Sequence, residues 1–336
     1  IKAYANIVSN LLDTFTLTSR WIYEISANAN DKDARRLKII FHPDGCVTIA
    51  NDGKPFKEED VKSLALPGKN LGKTKEEDRI IGFFGIGFIT TYHLGDICKL
   101  CSPGKTWMID RSWLRKEGNK IPLIFIISES PEICESLKSE GYTAIFHFEE
   151  GNREEIDKSE RFLKVGDEEI LRILANSPSL SKISFQFSDG EVRVFEKSSV
   201  SRKGFYEIVI DKMGKKERFF LYQSLKYLKD EDIEKIRKAM KGKRTYEEYE
   251  SRFKKRPMIL GVIKKEGEKS PLHIKKWLSN YSPIEKEIQN EWDVILDGAF
   301  CVDLQRNTLP GGLEEVNKIL LESVLADLFV ALLENL

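Results

Sequence analysis

Histidine and cysteine are scarce in this sequence, four and five residues respectively out of 336. His42, His93, His147 and His273 are scattered, and Cys98 and Cys101 form a lone CxxC with no second pair beside it. A structural zinc site takes four clustered ligands, so this spread argues against one, and "DICKLCS" reads as a strand. Cys46, Cys98, Cys101, Cys134 and Cys301 are an odd and sparse set, which suits reduced thiols in a cytoplasmic protein rather than a disulfide framework. Net charge is also missing, with 54 Lys+Arg against 54 Asp+Glu. No global field therefore draws the chain to nucleic acid or an anionic membrane, although a local patch stays open. No apolar run is long enough to span a bilayer, and the apolar C-terminal stretch carries Glu322, Asp327 and Glu334, as a buried helix would. Signal-peptide features, internal repeats and low-complexity tracts are lacking as well. The chain opens on Ile1, which is expected of a piece trimmed from something longer, with a further domain outside it.

What is present is ample core material: 41% hydrophobic and 32% charged residues, in a length that suits two domains of about 150 residues each. Residues 19–36 read as a helix, with Ile22, Ile25 and Ala29 on one side. "LKIIFHPDGCVTIANDGKPF" is a hairpin signal around Pro43-Asp44-Gly45, "KEEDVKSLAL" is helical, and "FITTYHL" continues as a helix after a glycine-rich turn. "DICKLCS", "TWMIDRS", "IPLIFIIS" and "YTAIFHFEE" read as strands. These elements predict an α/β sandwich, with one mostly antiparallel sheet and helices on a face, over residues 1–155. The polar stretch 149–160 is the expected linker to a second, α+β domain over 156–336. That domain holds hairpins turning at Asp189-Gly190 and within "FYEIVIDKMGKKERFFLYQ", strands at "RPMILGVIKK" and "WDVILDGAFCVDL", and a final helix near 313–335.

Two glycine clusters could cradle a phosphate. Gly72-Lys73-Thr74 looks like the end of a Walker A loop, but Pro67 stands where the first glycine belongs and a helix precedes it instead of a strand. The second, Gly82-Phe83-Phe84-Gly85-Ile86-Gly87-Phe88, opens a helix, although such turns often serve only packing. Its neighbourhood adds weight. Glu24, Asn28 and Asp31 stand at i, i+4 and i+7 on the first helix; such a face is ordinarily just solvated, yet it could also position a water and a magnesium ion. Asn51-Asp52-Gly53 ends a strand, and Thr143 enters another behind Gly141.

In this order, Glu-x-x-x-Asn-x-x-Asp on a helix, strand–Asp-Gly, GxxGxGF and Gly-x-Thr resemble the GHKL ATPases. That group includes the ninety-kilodalton heat-shock chaperone, sacsin, MutL mismatch-repair proteins, MORC proteins and type II topoisomerases. "IGFFGIGFITTYHLGD" is similar to the chaperone's glycine box, and "NDGKPFKEEDV" to sacsin-like members. "FCVDLQRNTLP" before a long helix resembles the chaperone's middle-domain catalytic loop, here near 301–309.

The resemblance implies a Bergerat-type ATP-binding domain followed by a transducer-like domain, with ATP and Mg2+ as cofactors. It makes Glu24 the general base, Asn28 the magnesium-binding carboxamide and Asp31 a support of the pocket. Gly82, Gly85 and Gly87, with Ile86 and Phe88, form the phosphate turn; Thr143 supports the adenine site, and Arg306, beside Gln305, senses the γ-phosphate. Gly68 to Lys73 fall where the family has its lid, so Lys69 or Lys73 could touch phosphate. The adenine motif departs from Asp-x-Gly-x-Gly: Asn51 occupies the aspartate position and Pro55 the second glycine. Asp52 is the first choice as adenine reader, with Asn51 second and Gly53 beside them.

The function expected is a Mg-ATP-hydrolysing conformational clamp of the chaperone or sacsin type, dimerising on ATP and acting on a protein client. Two alternatives stand beside it: a DNA-associated ATPase of repair, MORC-like or anti-foreign-DNA type, and a nucleotide-sensing scaffold. The basic, tyrosine-bearing stretch 238–256 is the feature that would serve DNA, although its glutamates make a solvated helix face the plainer reading.

Overall fold

In a computed structural model of the chain, the described residues are 20–65, 87–112, 123–200, 204–240, 253–254, 257–272, 278–280, 282–283, 294–298, 300 and 314–333. The protein is α+β. Helix α1 (Arg20–Asp31) comes first, followed by the antiparallel pair β1 (Arg36–Phe41) and β2 (Val47–Asn51). Helix α2 (Glu58–Ala65) and a 3-10 helix (Gly87–His93) precede β3 (Ile97–Ser102), β4 (Lys105–Asp110) and β5 (Leu123–Ile127). Helix α3 (Glu132–Ser139) leads into β6 (Ala144–Glu149), and α4 (Arg153–Val165) and α5 (Asp167–Asn176) follow. The remaining chain is largely strand: β7 (Lys182–Gln186), β8 (Val192–Ser199), β9 (Phe205–Lys212), β10 (Lys215–Lys226), β11 (Met258–Lys265), β12 (Leu278–Asn280), β13 (Ser282–Pro283) and β14 (Ile295–Asp297). Helices α6 (Asp230–Ala239) and α7 (Glu314–Leu333) complete it.

The described strands form one sheet in the order β13-β12-β14-β11-β10-β9-β8-β7-β1-β2-β6-β3-β4-β5. Its pairs are antiparallel except β1 with β7 and β12 with β14. The β1–β7 register, Leu37 opposite Ile183 and Ile39 opposite Phe185, carries the sheet across the expected division at 155/156. The main core crosses it too: Trp21 meets Phe41 edge-on at 6.4 Å, and Phe41 stacks on Phe187 at 6.1 Å.

Period-2 alternation sorts β1, β2 and β6 into two faces. Leu37, Ile39, Phe41, Val47, Ile49, Phe146 and Phe148 pack with Ile22 and Ile25 of α1 in the main core. Ile40, Ala50, Cys101 and Ile145 point the other way, into a small cluster with Cys134 and Leu137 of α3. A third cluster forms under α7, where Val316, Leu320 and Leu328 meet Met258, Leu260 and Leu296.

Two expectations are corrected. The first helix ends at Asp31, not residue 36, because Asp33 turns left-handed (φ 58°). The Ala34 amide then donates to the Ala29 carbonyl at 3.0 Å and the Asp33 amide to that of Asn30 at 3.0 Å, a Schellman closure. The segment "FITTYHL" is helical as expected, in the 3-10 form over Gly87–His93. The stretch 149–160 is no linker: β6 runs to Glu149, and Asn152 caps α4, its Oδ1 accepting from the Glu154 amide at 3.0 Å and the Glu155 amide at 3.3 Å. Helix α4 buries Ile156, Ser159, Glu160 and Leu163 against the core. Its Ser159 Oγ accepts from Trp21 Nε1 at 3.3 Å and its Glu160 Oε1 from the Ser188 amide at 2.8 Å, tying α1 to the β7–β8 turn.

Among the described residues, no helix is long and apolar enough to cross a membrane.

Candidate functional site

Helix α1 carries the polar face. Glu24 is 3% exposed, while Asn28 and Asp31 are half-buried one and two turns further on. A carboxylate so deep in an amphipathic helix is unusual for a merely solvated face. The apolar side of α1 fixes its rotation: Ile22 and Ile25 are fully or nearly buried, each contributing about 1.5–3 kcal/mol against exposure. The helix packs against the 3-10 helix that follows the glycine turn. There Phe88 is buried and meets Phe146 at 5.7 Å and Tyr92 at 6.4 Å, so the described end of that turn is anchored on the sheet.

The C-terminal end of α1 meets the exit of β2. The Lys54 amide donates to the Lys32 carbonyl at 2.7 Å. Gly53 is needed there, because a Cβ would lie 2.6 Å from the Lys32 carbonyl oxygen. Lys32 Nζ in turn pairs with Asp60 Oδ1 at 2.8 Å, with the two side chains 12% and 7% exposed, and so joins α1 to α2. Asp60 Oδ2 also accepts from the Lys57 amide at 2.8 Å.

Asn51 and Asp52 part company here. Asn51 continues the Val47, Ile49 side of β2, toward α1, and is 4% exposed; its Oδ1 accepts from the Gly53 amide at 3.2 Å. Asp52 serves the opposite side. Its Oδ1 accepts from the Arg35 and Arg36 amides at 2.8 and 2.7 Å, and its Oδ2 from Arg36 Nε at 2.8 Å. That hydrogen bond is the main reason the Arg36 guanidinium holds its proton more firmly than usual, and Arg36 lies over the Tyr142 ring at 4.8 Å. Asp52, the first choice as base reader, thus has its carboxylate engaged at the start of β1, while Asn51 stands on the α1 side of β2.

Thr143 joins this corner from far along the chain. Its amide donates to the Asn51 carbonyl at 3.0 Å and its hydroxyl to the Gly53 carbonyl. Asn51, Gly53 and Thr143 are thus bonded to one another at this corner, Glu24, Asn28 and Asp31 share helix α1, and Phe88 lies on the 3-10 helix packed against it. Gly87 opens the 3-10 helix. Lys69, Lys73, Gly82, Gly85, Ile86, Gln305 and Arg306 lie outside the described residues. So does most of 238–256, of which 238–240 and 253–254 are described.

A divalent cation fits the side chains present in a limited sense. Among the described residues no three His, Cys, Asp or Glu side chains converge as a metal cage would require. A magnesium ion held chiefly by phosphate and water needs only one or two protein oxygens, and the half-buried Asn28 can supply one.

Other contacts leave no local signal in the sequence. His42 Nε2 and His147 Nδ1 flank the Thr48 hydroxyl at 2.8 and 2.9 Å, on the sheet face away from α1. Burial lowers the pKa of both histidines. Cys98 and Cys101 point to opposite faces, Cys98 into the main core and Cys101 toward Cys134, so the CxxC is not a unit. Only long-range strand register, not local spacing, carries these pairings.

No family model matches the chain, and no curated protein does. Among solved structures, the N-terminal domain of a DNA repair protein aligns over 91% of this chain and 92% of its own, with 11% identity and a TM-score of 0.40. The 43K ATPase domain of Thermus thermophilus gyrase B, in complex with an aminocoumarin, aligns over 60% of this chain with 14% identity and a TM-score of 0.29. The chain spans 56% of that gyrase domain. At these scores neither likeness carries chemistry to this chain, and function is read from the side chains.

Proposed function

We propose that the protein binds Mg-ATP in the GHKL manner and hydrolyses it, with Glu24 as general base. The observation that carries this reading is the deeply buried Glu24 on the same helix face as Asn28 and Asp31, with Asn51 and Thr143 at the end of that helix. Thr143 and Asn51, 92 positions apart, are bonded to each other, and the motif resemblance assigns both to an adenine site.

In this reading Asn51 takes the purine edge. A carboxamide presents both an acceptor and donors, and Thr143 fixes the backbone on which it stands. Glu24 orients the attacking water and accepts its proton, a contribution on the order of a hundred- to ten-thousand-fold in rate. Bound magnesium would neutralise phosphate charge, with Asn28 as its protein oxygen and Asp31 supporting the pocket. Backbone amides of the turn at Gly82, Gly85 and Gly87, flanked by Ile86, approach the phosphates, and Lys73 closes over them. Arg306 stabilises charge developing on the γ-phosphate. Nucleotide-dependent closure between two copies of the chain, a clamp acting on a client, belongs to the same proposal.

Equilibrium dialysis with labelled ATP and magnesium tests the binding half. Saturable binding that unlabelled ATP displaces is expected; a chain that retains no ATP at millimolar concentration contradicts the proposal.

A further inference from the structure

On the sheet face away from α1, Cys101 of β3 and Cys134 of α3 approach sulfur to sulfur at 2.6 Å, though they stand 33 positions apart. Both are free thiols, and both are fully buried. They share their cluster with Ile40, Ala50, Leu137, Tyr142 and Ile145, while α3 buries only Cys134 and Leu137 of its eight residues. We propose that Cys101 and Cys134 are a dithiol oxidation site, closing to an intramolecular disulfide under a peroxide and stapling α3 to the sheet.

Three observations support it. The sulfurs already face each other, so closure needs a small side-chain adjustment rather than a backbone rearrangement. A helix held by two buried side chains and the half-buried Ile133 opens locally at less cost than the main core, which admits a small neutral oxidant to sulfurs otherwise shielded. Cys101 is the nucleophile of the two: hydrogen bonding with Cys134, helped by Thr106, Ser130 and the charge of Lys138 and opposed by burial, brings its pKa down to about 7. The same hydrogen bond and burial push the Cys134 thiol up. For Cys98, burial outweighs the opposing charge of Arg111 and drives the thiol to about 12.

In the step itself, the Cys101 thiolate attacks one oxygen of hydrogen peroxide, breaks the O–O bond and releases hydroxide, which leaves Cys101 a sulfenic acid. The Cys134 sulfur then attacks the Cys101 sulfur, the S–S bond forms, and the departing hydroxide takes the Cys134 proton as water. Two thiols lose two electrons in all, and one peroxide becomes two waters.

The staple would act next to the candidate site. The Gly141 and Tyr142 amides donate back to the Lys138 and Leu137 carbonyls at 2.9 and 3.1 Å, and the next residue is Thr143, bonded to Asn51. The oxidation claim does not depend on nucleotide binding.

The test is peptide mapping of the intact chain after brief exposure to hydrogen peroxide. Free thiols are alkylated in denaturant, and the digest is compared with an untreated sample by mass spectrometry. A Cys101–Cys134 linked peptide, two hydrogens lighter than the sum of its parts and split by reductant, is expected as the main oxidation product. Alkylated Cys101 and Cys134 recovered separately, sulfinic acid at either, or a mixture of pairings including Cys46 and Cys98 would overturn the proposal. The wild-type chain suffices, so a failure of Cys134→Ser to fold would not obscure the outcome.

Discussion

The backbone amide of Thr143 donates to the carbonyl of Asn51 at 3.0 Å, across 92 positions of sequence. That bond fixes the end of β2 where Asn51 turns to the α1 side and Asp52 turns away. Two adjacent polar residues, Asp52 the first choice as base reader in the sequence and Asn51 the second, thereby stand in different surroundings.

Asn51→Ala should weaken ATP binding at least about tenfold, or about 1.4 kcal/mol. It should lower stability by only about 1 kcal/mol, through the lost bond to the Gly53 amide. Asp52→Asn should do the reverse: ATP affinity within about threefold of the parent, but stability down by about 1–3 kcal/mol as three donors lose their carboxylate. Titration calorimetry and urea denaturation of both variants check this. Interchanged effects would return the base-reading role to Asp52.

Gly53→Ala tests the contact between α1 and the β2 exit. The new Cβ would sit 2.6 Å from the Lys32 carbonyl oxygen, a backbone atom that cannot swing aside. A loss of about 1–3 kcal/mol in denaturant stability is expected, with weaker nucleotide binding if the corner shifts. A variant as stable as the parent would show that this approach is looser than described.

Acid should weaken the fold through the Thr48 cluster. Burial lowers the pKa of His42 and His147 in the folded protein, with the opposing charges of Asp44 and Glu149 giving only partial relief. Near and below the unfolded-state pKa of 6.5 the unfolded chain therefore binds more protons. Stability from these groups is complete above that pH and is lost as pH falls from it toward the lower folded-state values. The urea midpoint should drop between pH 7.5 and 5.5, and the drop should shrink in His42→Gln/His147→Gln. An unchanged slope in the double variant would remove the histidines from the account.

Much of the fold is legible in the sequence because short-range chemistry dictates it. Alternating apolar residues mark β1, β2, β9 and β10, and Asp189-Gly190 marks the turn between β7 and β8. Ile22, Ile25 and Ala29 likewise announce α1. Its end was hidden, since Asp33 takes the left-handed position that glycine usually signals. Helix α4 reads as a linker because charge dominates it, while burial of Ser159 and Glu160 depends on distant partners, Trp21 and Ser188. For the site, residue types at α1 spacing were visible. What was not visible was which side of β2 each of Asn51 and Asp52 faces, because strand parity becomes face only once the sheet has packed against α1.

The most direct measurement is steady-state Mg-ATP hydrolysis by the chain alongside Glu24→Gln, with ATP affinity measured for both. The account predicts turnover in the parent, a loss of at least about a hundredfold in the variant, and ATP dissociation constants within about threefold of each other. A Glu24→Gln protein that hydrolyses ATP at the parent rate would contradict it.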